Sequence, residues 1–241
     1  MKLRNPFAAL LLCGVTSYAQ SIKLGGELGL ASPQEDFGGT TIEYYNGINY
    51  GLKSGYNVGL IAKLGLGGIG FRGIINFVSL SNSGIAASDK PNSNVELNTG
   101  IMSIGIGPEY SIAIPASPIT PHIGADILFN NISGDVTFQG ISDVPSGKFT
   151  MESASRIGLG FGAGVEYKLG LFSLDLNIRY NLYNLTGKEF VDLITSDKRI
   201  DSYLNLNDEK DPVTSVNKEH FVTSTRSISG MQINIGILFG L

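Results

Sequence analysis

Residues 171–183, LFSLDLNIRYNLY, alternate between apolar and polar side chains without interruption. In an extended chain, successive side chains point to opposite faces, so this segment is expected to be a strand with one apolar and one polar face. Leu176 and Ile178 lie on the apolar face, and Asp175 and Arg179 lie on the polar face. The segment does not say which face is enclosed, and that question decides the class of fold.

The same two-residue period recurs in seven further segments. They lie near residues 21–30, 55–65, 69–79, 97–112, 119–131, 153–167 and 226–241. Ile74 and Val78 interrupt the pattern in one of them, because they place apolar side chains on the polar face. Each segment is long enough to cross a bilayer as a tilted strand, for which about 9 to 11 residues suffice. The period therefore predicts eight strands.

The connections between these segments alternate in length. Tight, Gly- and Pro-containing turns are expected near residues 65–68, 113–118 and 168–170. Long polar connections are expected near residues 31–54, 80–96, 132–152 and 184–225. Short turns at one end and long loops at the other are typical of a membrane-spanning barrel. The predicted fold is all-β: an eight-stranded antiparallel up-and-down transmembrane β-barrel with both chain termini at the short-turn end.

Composition favours this fold over the soluble alternatives. The chain has 32 glycines in 241 residues and only 16% charged residues, against about 7% glycine and about 25% charged residues in ordinary domains. A β-sandwich or a lipocalin also alternates, but neither explains so many glycines on the polar face. No apolar run reaches the roughly 20 residues of a transmembrane helix. A net charge of -4 without a basic run argues against a nucleic-acid partner.

The first residues have the features of an export signal. Lys2 and Arg4 precede the apolar stretch 6–16, and small residues at Ser17 and Ala19 suit signal peptidase. We therefore expect a signal peptide over residues 1–19 and a barrel domain over residues 20–241. The single cysteine, Cys13, lies within the signal, and a lipid anchor on it is a less favoured alternative.

On these features the whole chain resembles the small outer-membrane β-barrel families of Gram-negative bacteria, the OmpA/OmpX-type, porin-like group. The resemblance includes the final strand, ISGMQINIGILFGL, although Leu241 stands where those families usually end in an aromatic residue. It implies an outer-membrane location, short periplasmic turns, long extracellular loops and a monomer. The implied partners are outer-membrane lipids and the barrel-assembly machinery. No peptidoglycan-binding domain is expected after the barrel.

The polar faces become the core of such a barrel, because eight strands leave room only for side chains. Five cationic and five acidic residues fall on these faces, and enclosure requires them to pair. The predicted interior charge network consists of Lys23, Glu27, Lys63, Arg72, Glu109, Asp126, Arg156, Glu166, Asp175 and Arg179. It is either a structural plug or a gated pathway for small solutes. The inward glycines at positions 158, 160, 162 and 164 either make room for arginines or relieve crowding.

No catalytic residue, metal site or cofactor is predicted. His122 lies near Asp126 on one predicted face, but no serine at nucleophile spacing accompanies the pair. The stretch GLGGIG at residues 65–70 matches a dinucleotide-binding pattern, yet a strand follows it instead of a helix. The loop 184–225 is rich in Asp and Glu, and we expect it to be solvated because it lacks a calcium-loop pattern.

Outward aromatic residues fall into two bands that resemble the girdles at two membrane interfaces. The bands consist of Phe71, Tyr110, Tyr167, Phe172 and Phe239 near the short turns, and of Tyr56, Phe77, Phe129 and Tyr180 near the long loops. The predicted function is a structural or surface-binding role through the long loops, and the alternative is a narrow porin-like channel. No set of residues in the sequence supports a third possibility, a lipid-modifying enzyme.

Overall fold

The computed structural model describes residues 21–66, 68–141, 144–191, 203–212, 222 and 224–240. Eight antiparallel strands close into one hydrogen-bonded ring, in which each strand pairs with its neighbours in sequence and β1 pairs with β8. The strands are β1 Ser21–Gln34, β2 Gly55–Leu66, β3 Ile69–Gly84, β4 Asn94–Ser111, β5 Ile119–Gln139, β6 Gly147–Leu169, β7 Phe172–Thr186 and β8 Ser229–Gly240. The predicted all-β, eight-stranded barrel is confirmed.

The apolar faces of the strands point outward. On β7, Leu176 is 58% exposed and Ile178 is 50% exposed, whereas Asp175 and Arg179 are almost completely buried. Exposed aliphatic and aromatic side chains continue around the ring on every strand. The enclosed face of the segment 171–183 is therefore its polar face.

Several strands extend further toward the long-loop end of the barrel than the sequence pattern predicts. The expected loop at 132–152 is mostly strand, because β5 continues to Gln139 and β6 begins at Gly147. The expected loop at 80–96 is likewise shortened to the segment between Gly84 and Asn94. The loop predictions at these two places were wrong because a polar outward face there was interpreted as a loop.

Part-way along the strands, the outward face changes from apolar to polar and the inward face changes from polar to apolar. On β3 the outward residues change from Phe77 to Ser81, while the inward residues change from Asn76 to Leu80. Ile74 and Val78, which interrupt the sequence pattern, both point inward. The long-loop half of the barrel thus has an apolar core, and its strand-borne members include Val78, Leu80, Val95, Leu97, Ile101, Ile132, Val136 and Phe138.

A cap closes the long-loop end. We define the cap as residues 35–54, 203–212, 222 and 224–228. Its first part contains a single 3₁₀ turn at Glu35–Phe37 and a short helix, α1 Thr41–Tyr45, which begins with a reciprocal capping box between Thr40 and Glu43. Among the described residues, no helix is long and apolar enough to span a bilayer.

Aromatic contacts join the cap to the apolar core. The ring centroids of Phe37 and Tyr183 of β7 lie 6.5 Å apart, and those of Tyr203 and Phe138 of β5 lie 4.8 Å apart. The Tyr50 hydroxyl donates to the Leu206 carbonyl at 2.9 Å. Burial raises the pKa of Tyr50, so its hydroxyl keeps the proton it donates. The cap is consequently a packed continuation of the barrel.

Candidate functional site

Nine of the ten residues in the predicted charge network lie together in the short-turn half of the interior. Five of them form a central cluster, and the other four form two separate ion pairs, Lys23 with Glu166 and Arg179 with Glu27. The central cluster consists of Lys63, Arg72, Glu109, Asp126 and Asp175. Arg156 lies apart from the other nine, nearer the cap.

Arg72 organises the central cluster. Its guanidinium contacts both carboxylate oxygens of Asp126, at 2.9 Å from Nε and 2.5 Å from Nη2, and lies 3.4 Å from Glu109. Lys63 links Glu109 to Asp175 at 3.1 and 3.2 Å. Paired planar contacts of this kind satisfy a buried guanidinium, which would otherwise carry a large desolvation cost.

His122 belongs to the same cluster, but with a different partner from the one the sequence predicts. Its Nε2 lies 2.7 Å from Asp175, and its Nδ1 lies 3.6 Å from Glu109. Asp126, the predicted neighbour, is occupied by Arg72. The order of the strands explains the difference, because β6 lies between β5 and β7 and its Gly164 leaves room for the His122 ring to reach Asp175, while Asp126 binds Arg72 on β3.

The inward glycines make room for the charged side chains. A Cβ atom at Gly162 would lie 3.2 Å from Cγ of Arg179 and 3.3 Å from Nη2 of Arg72. A Cβ atom at Gly164 would lie 2.7 Å from the His122 ring, and one at Gly124 would lie 3.1 Å from Cζ of Arg72. A side chain at Gly164 would clash with the Leu176 carbonyl and the His122 ring, and at Gly162 and Gly124 the neighbouring arginine side chains would have to shift, which favours the room-making interpretation at these positions.

A layer of amide side chains, interleaved with the Arg179–Glu27 ion pair, connects the charged region with the apolar core. Asn234 accepts from Asn57 and donates to Asn177, each at 2.8 Å. Gln232 accepts from Asn76 at 3.3 Å and donates to the Tyr183 hydroxyl at 3.0 Å. The predicted interior network contained only charged residues and did not include this layer, although Asn and Gln residues recur on the polar faces of neighbouring strands.

Arg156 holds the cap to the barrel wall. Its Nε and Nη2 donate to Asp208 at 2.9 and 2.8 Å, and its Nη1 lies 3.1 Å from Glu189. Burial alone would raise the pKa of Asp208, but hydrogen bonds from Arg156 and Asn184 outweigh that effect and hold this pKa below its usual value. We call Arg156, Asp208, Asn184 and Glu189 the cap clamp.

The acidic loop 184–225 is described only in part. Asp192, Asp197 and Asp201 lie outside the described residues. Among the residues that the structure does describe, Asp208 binds Arg156, and no group of three or more His, Cys, Asp or Glu side chains is arranged to hold a metal ion.

A small polar vestibule lies at the short-turn mouth of the barrel. Its volume is about 140 Å³, and Lys23, Lys63, Glu109 and Glu166 are among its lining residues. Above it, the ion pairs, the amide layer and the apolar core fill the described interior in succession. The arrangement can neutralise charge and exclude water, and it leaves the vestibule as a dead end.

The amphipathic ring with its polar interior matches a known family. The model of the family described as "Outer membrane protein beta-barrel domain" matches residues 6–207. The chain belongs to this outer-membrane β-barrel family. In such barrels the short turns are periplasmic and the long loops extracellular, and after that arrangement we call the short-turn half the periplasmic half and the long-loop half the outer half.

Several solved outer-membrane barrels are similar to this one. Neisserial surface protein A is 16% identical, with a TM-score of 0.47 over 90% of this chain and 96% of that chain. The N-terminal barrel of Pseudomonas aeruginosa OprF is 10% identical, with a TM-score of 0.42 over 92% and 98%. A major outer membrane protein from Thermus thermophilus is 16% identical, with a TM-score of 0.46 over 91% and 99%. No protein with a curated description matches the chain.

Proposed function

We propose that this outer-membrane barrel is a closed, non-enzymatic anchor whose structural or surface-binding role is carried by its extracellular cap. The filled interior is the observation that carries the proposal. Arg72 and Asp126 are each about 1% exposed at the side chain, and the amide layer and apolar core lie between them and the cap. A solute would have to displace three successive layers to cross the barrel.

The cap supports the surface-binding part of the proposal. It is compact, because Tyr50, Tyr203 and Asp208 each tie a cap segment to another segment or to the barrel wall. It also carries Ile48, an apolar side chain that is 62% exposed. Binding residues are often held on loops above a rigid scaffold. We further propose export by the signal peptide at 1–19, insertion by the barrel-assembly machinery, and a monomer surrounded by lipid.

Planar-bilayer conductance tests the closed state. The folded wild-type barrel is expected to give no discrete conductance steps at any voltage. The double variant Glu27→Ala/Arg179→Ala removes one ion pair and one acceptor of Asn177 but leaves the Arg72 cluster and the apolar core in place, so we expect it to remain closed as well. Steady ion-sized steps in the wild type would establish the alternative, a narrow channel.

Single-cysteine labelling tests the display of the cap. The only natural cysteine is Cys13 in the predicted signal, so an introduced cysteine is unique in the processed chain. Ile48→Cys is expected to react with a membrane-impermeant maleimide on intact cells. Ala113→Cys, in the short turn after β4, is the matched control and should react only after the outer membrane is opened. The reverse pattern would contradict the orientation.

A further inference from the structure

A groove runs along the outer wall of the barrel where β7 separates from β6. Pairing advances from Leu159–Leu182 to Ile157–Thr186, so β6 moves by two residues while β7 moves by four. Gly187 follows with a φ of +86°, a left-handed conformation that turns the chain away from the sheet. The displaced end of β7 forms one side of a groove with a volume of about 530 Å³.

The floor of the groove is apolar and belongs to the lipid-facing surface. Met102, Ile104, Phe129 and Ile157 line it from three adjacent strands, and each is between 43% and 53% exposed. These side chains continue the outward apolar belt of β4, β5 and β6 without a break. The groove is thus continuous with the interface that the barrel already makes with the membrane.

The upper edge of the groove is polar and uncharged. Asn131, Ser155 and Thr186 line it, all three are exposed, and their side chains make no hydrogen bond to any described residue. Asn131 is the next outward residue after Phe129 on β5, and Ser155 is the outward residue just before Ile157 on β6, so this edge lies where the outward surface changes from apolar to polar.

The charged and amide groups beneath the groove are already engaged. The Arg156 side chain is 2% exposed and pairs with Asp208 and Glu189. Asn130 donates to the Tyr183 carbonyl and accepts from Ser103, each at 2.7 Å. An occupant would therefore meet an apolar floor and neutral hydrogen-bonding groups at one edge, with no free cation among the described lining residues.

We infer that the groove binds one acyl-ester lipid of the surrounding bilayer. An acyl chain lies on the floor, and its ester carbonyl accepts hydrogen bonds from the amide or hydroxyl groups at the polar edge. The volume falls within the range of small-molecule sites, about 300 to 1,000 Å³. A water-soluble solute or a second protein would have to displace membrane lipid from the floor, whereas a lipid is already there.

Native mass spectrometry of the folded barrel provides the test. The barrel is reconstituted with a phosphatidylethanolamine that carries two 18-carbon chains and is then extracted into mild detergent. We expect one lipid to be retained by the wild type. An acyl chain that moves from the bilayer into the groove gains packing and hydrogen bonds but no hydrophobic transfer energy, so the lipid prefers the groove only modestly. Filling the groove should therefore lower lipid retention about fivefold.

Ser155→Trp fills the groove from an exposed outward position, and Ser79→Trp is its control at the same polarity boundary on β3. Heat-modifiable gel mobility confirms that both variants fold. The double variant Asn131→Ala/Thr186→Ala leaves the groove open but removes polar-edge groups, and it should also lower retention. Absence of a retained lipid in the wild type, or equal retention by Ser155→Trp and the wild type, would overturn the inference.

Discussion

The two halves of this barrel obey opposite rules although the same strands build both. In the periplasmic half, β3 encloses Arg72 and Asn76 and exposes Phe71 and Phe77. In the outer half, the same strand encloses Leu80 and exposes polar residues. The environment outside the wall explains the difference, because lipid requires an apolar outer surface and water does not. An eight-stranded ring can therefore exchange its two faces without changing its hydrogen bonding.

The comparison predicts different energetic consequences in the two halves. In the periplasmic half, the buried side chains include paired charges beside a small apolar cluster of Ile61, Ile74, Leu128 and Leu238, so pairing is the critical feature at the charged positions. In the outer half the buried strand residues are mainly apolar, so the critical feature is volume. Three sets of variants test this difference through the free energy of unfolding.

Removing one partner of the central ion pair should have the largest effect. Asp126→Ala leaves Arg72 buried with only the longer contact to Glu109, and we expect the free energy of unfolding to fall by about 4 kcal/mol. Urea titration in lipid vesicles, followed by heat-modifiable gel mobility, measures this change. The double variant Arg72→Met/Asp126→Leu, which replaces both charges by apolar side chains, should regain most of the lost free energy of unfolding.

Asp135→Ala is the control for that prediction. Asp135 pairs with Lys148 at 3.2 Å, and the two side chains are 22% and 63% exposed. Exposed ion pairs contribute less than about 1 kcal/mol. If Asp126→Ala and Asp135→Ala destabilise the barrel equally, the distinction between a charged core and a solvated surface is not valid.

Truncating a core aromatic in the outer half should have the next largest effect. Phe138 is fully buried, so Phe138→Ala creates a cavity and should cost about 3 kcal/mol of unfolding free energy, measured by the same titration. Phe129→Ala, on the same strand, is the control. Phe129 faces lipid, and lipid fills the vacated volume, so only water-to-lipid transfer free energy is lost and we expect about 1.5 kcal/mol. The opposite ranking would show that the apolar core does not stabilise the outer half.

Protonation of the cap clamp should have the smallest effect of the three, and it should depend on pH. The folded-state pKa of Asp208 lies below its usual value, so its contribution is present above the unfolded pKa of about 4 and is lost as pH falls through the lower folded value. Asp208→Asn should cost the cap about 2 kcal/mol at pH 7.

Hydrogen exchange of residues 184–189 and 203–210 measures the clamp directly. In the wild type, protection should decrease when the pH falls below about 4. In Asp208→Asn, protection should be low both at pH 7 and below about pH 4. Asp89→Asn, in the exposed loop between β3 and β4, should exchange like the wild type. A pH dependence that persists in Asp208→Asn would assign the effect to another group.

Much of the fold was predictable because its signals are local. Period-2 alternation gives the strands. Of the two residues that appeared to break it, Val78 marks where the barrel core changes from polar to apolar, and Ile74 belongs to a smaller apolar cluster among the charged residues. The pattern could not predict the full strand lengths, since a polar outward face above the membrane resembles a loop. Nor could it predict the cap, whose contacts join segments more than 150 residues apart, such as Tyr50 with Leu206.

The charge network divides in the same way. Because side-chain direction is fixed by the two-residue period, the amino-acid order alone specifies which charged residues face inward. Their partners were set by the closed ring, because pairing across it depends on strand register. The ring brought His122 to Asp175 instead of Asp126, and it took Arg156 out of the central cluster to bind Asp208 in the cap. The separation of β7 from β6, and the groove that results, likewise depend on pairing between strands and have no signal within either strand.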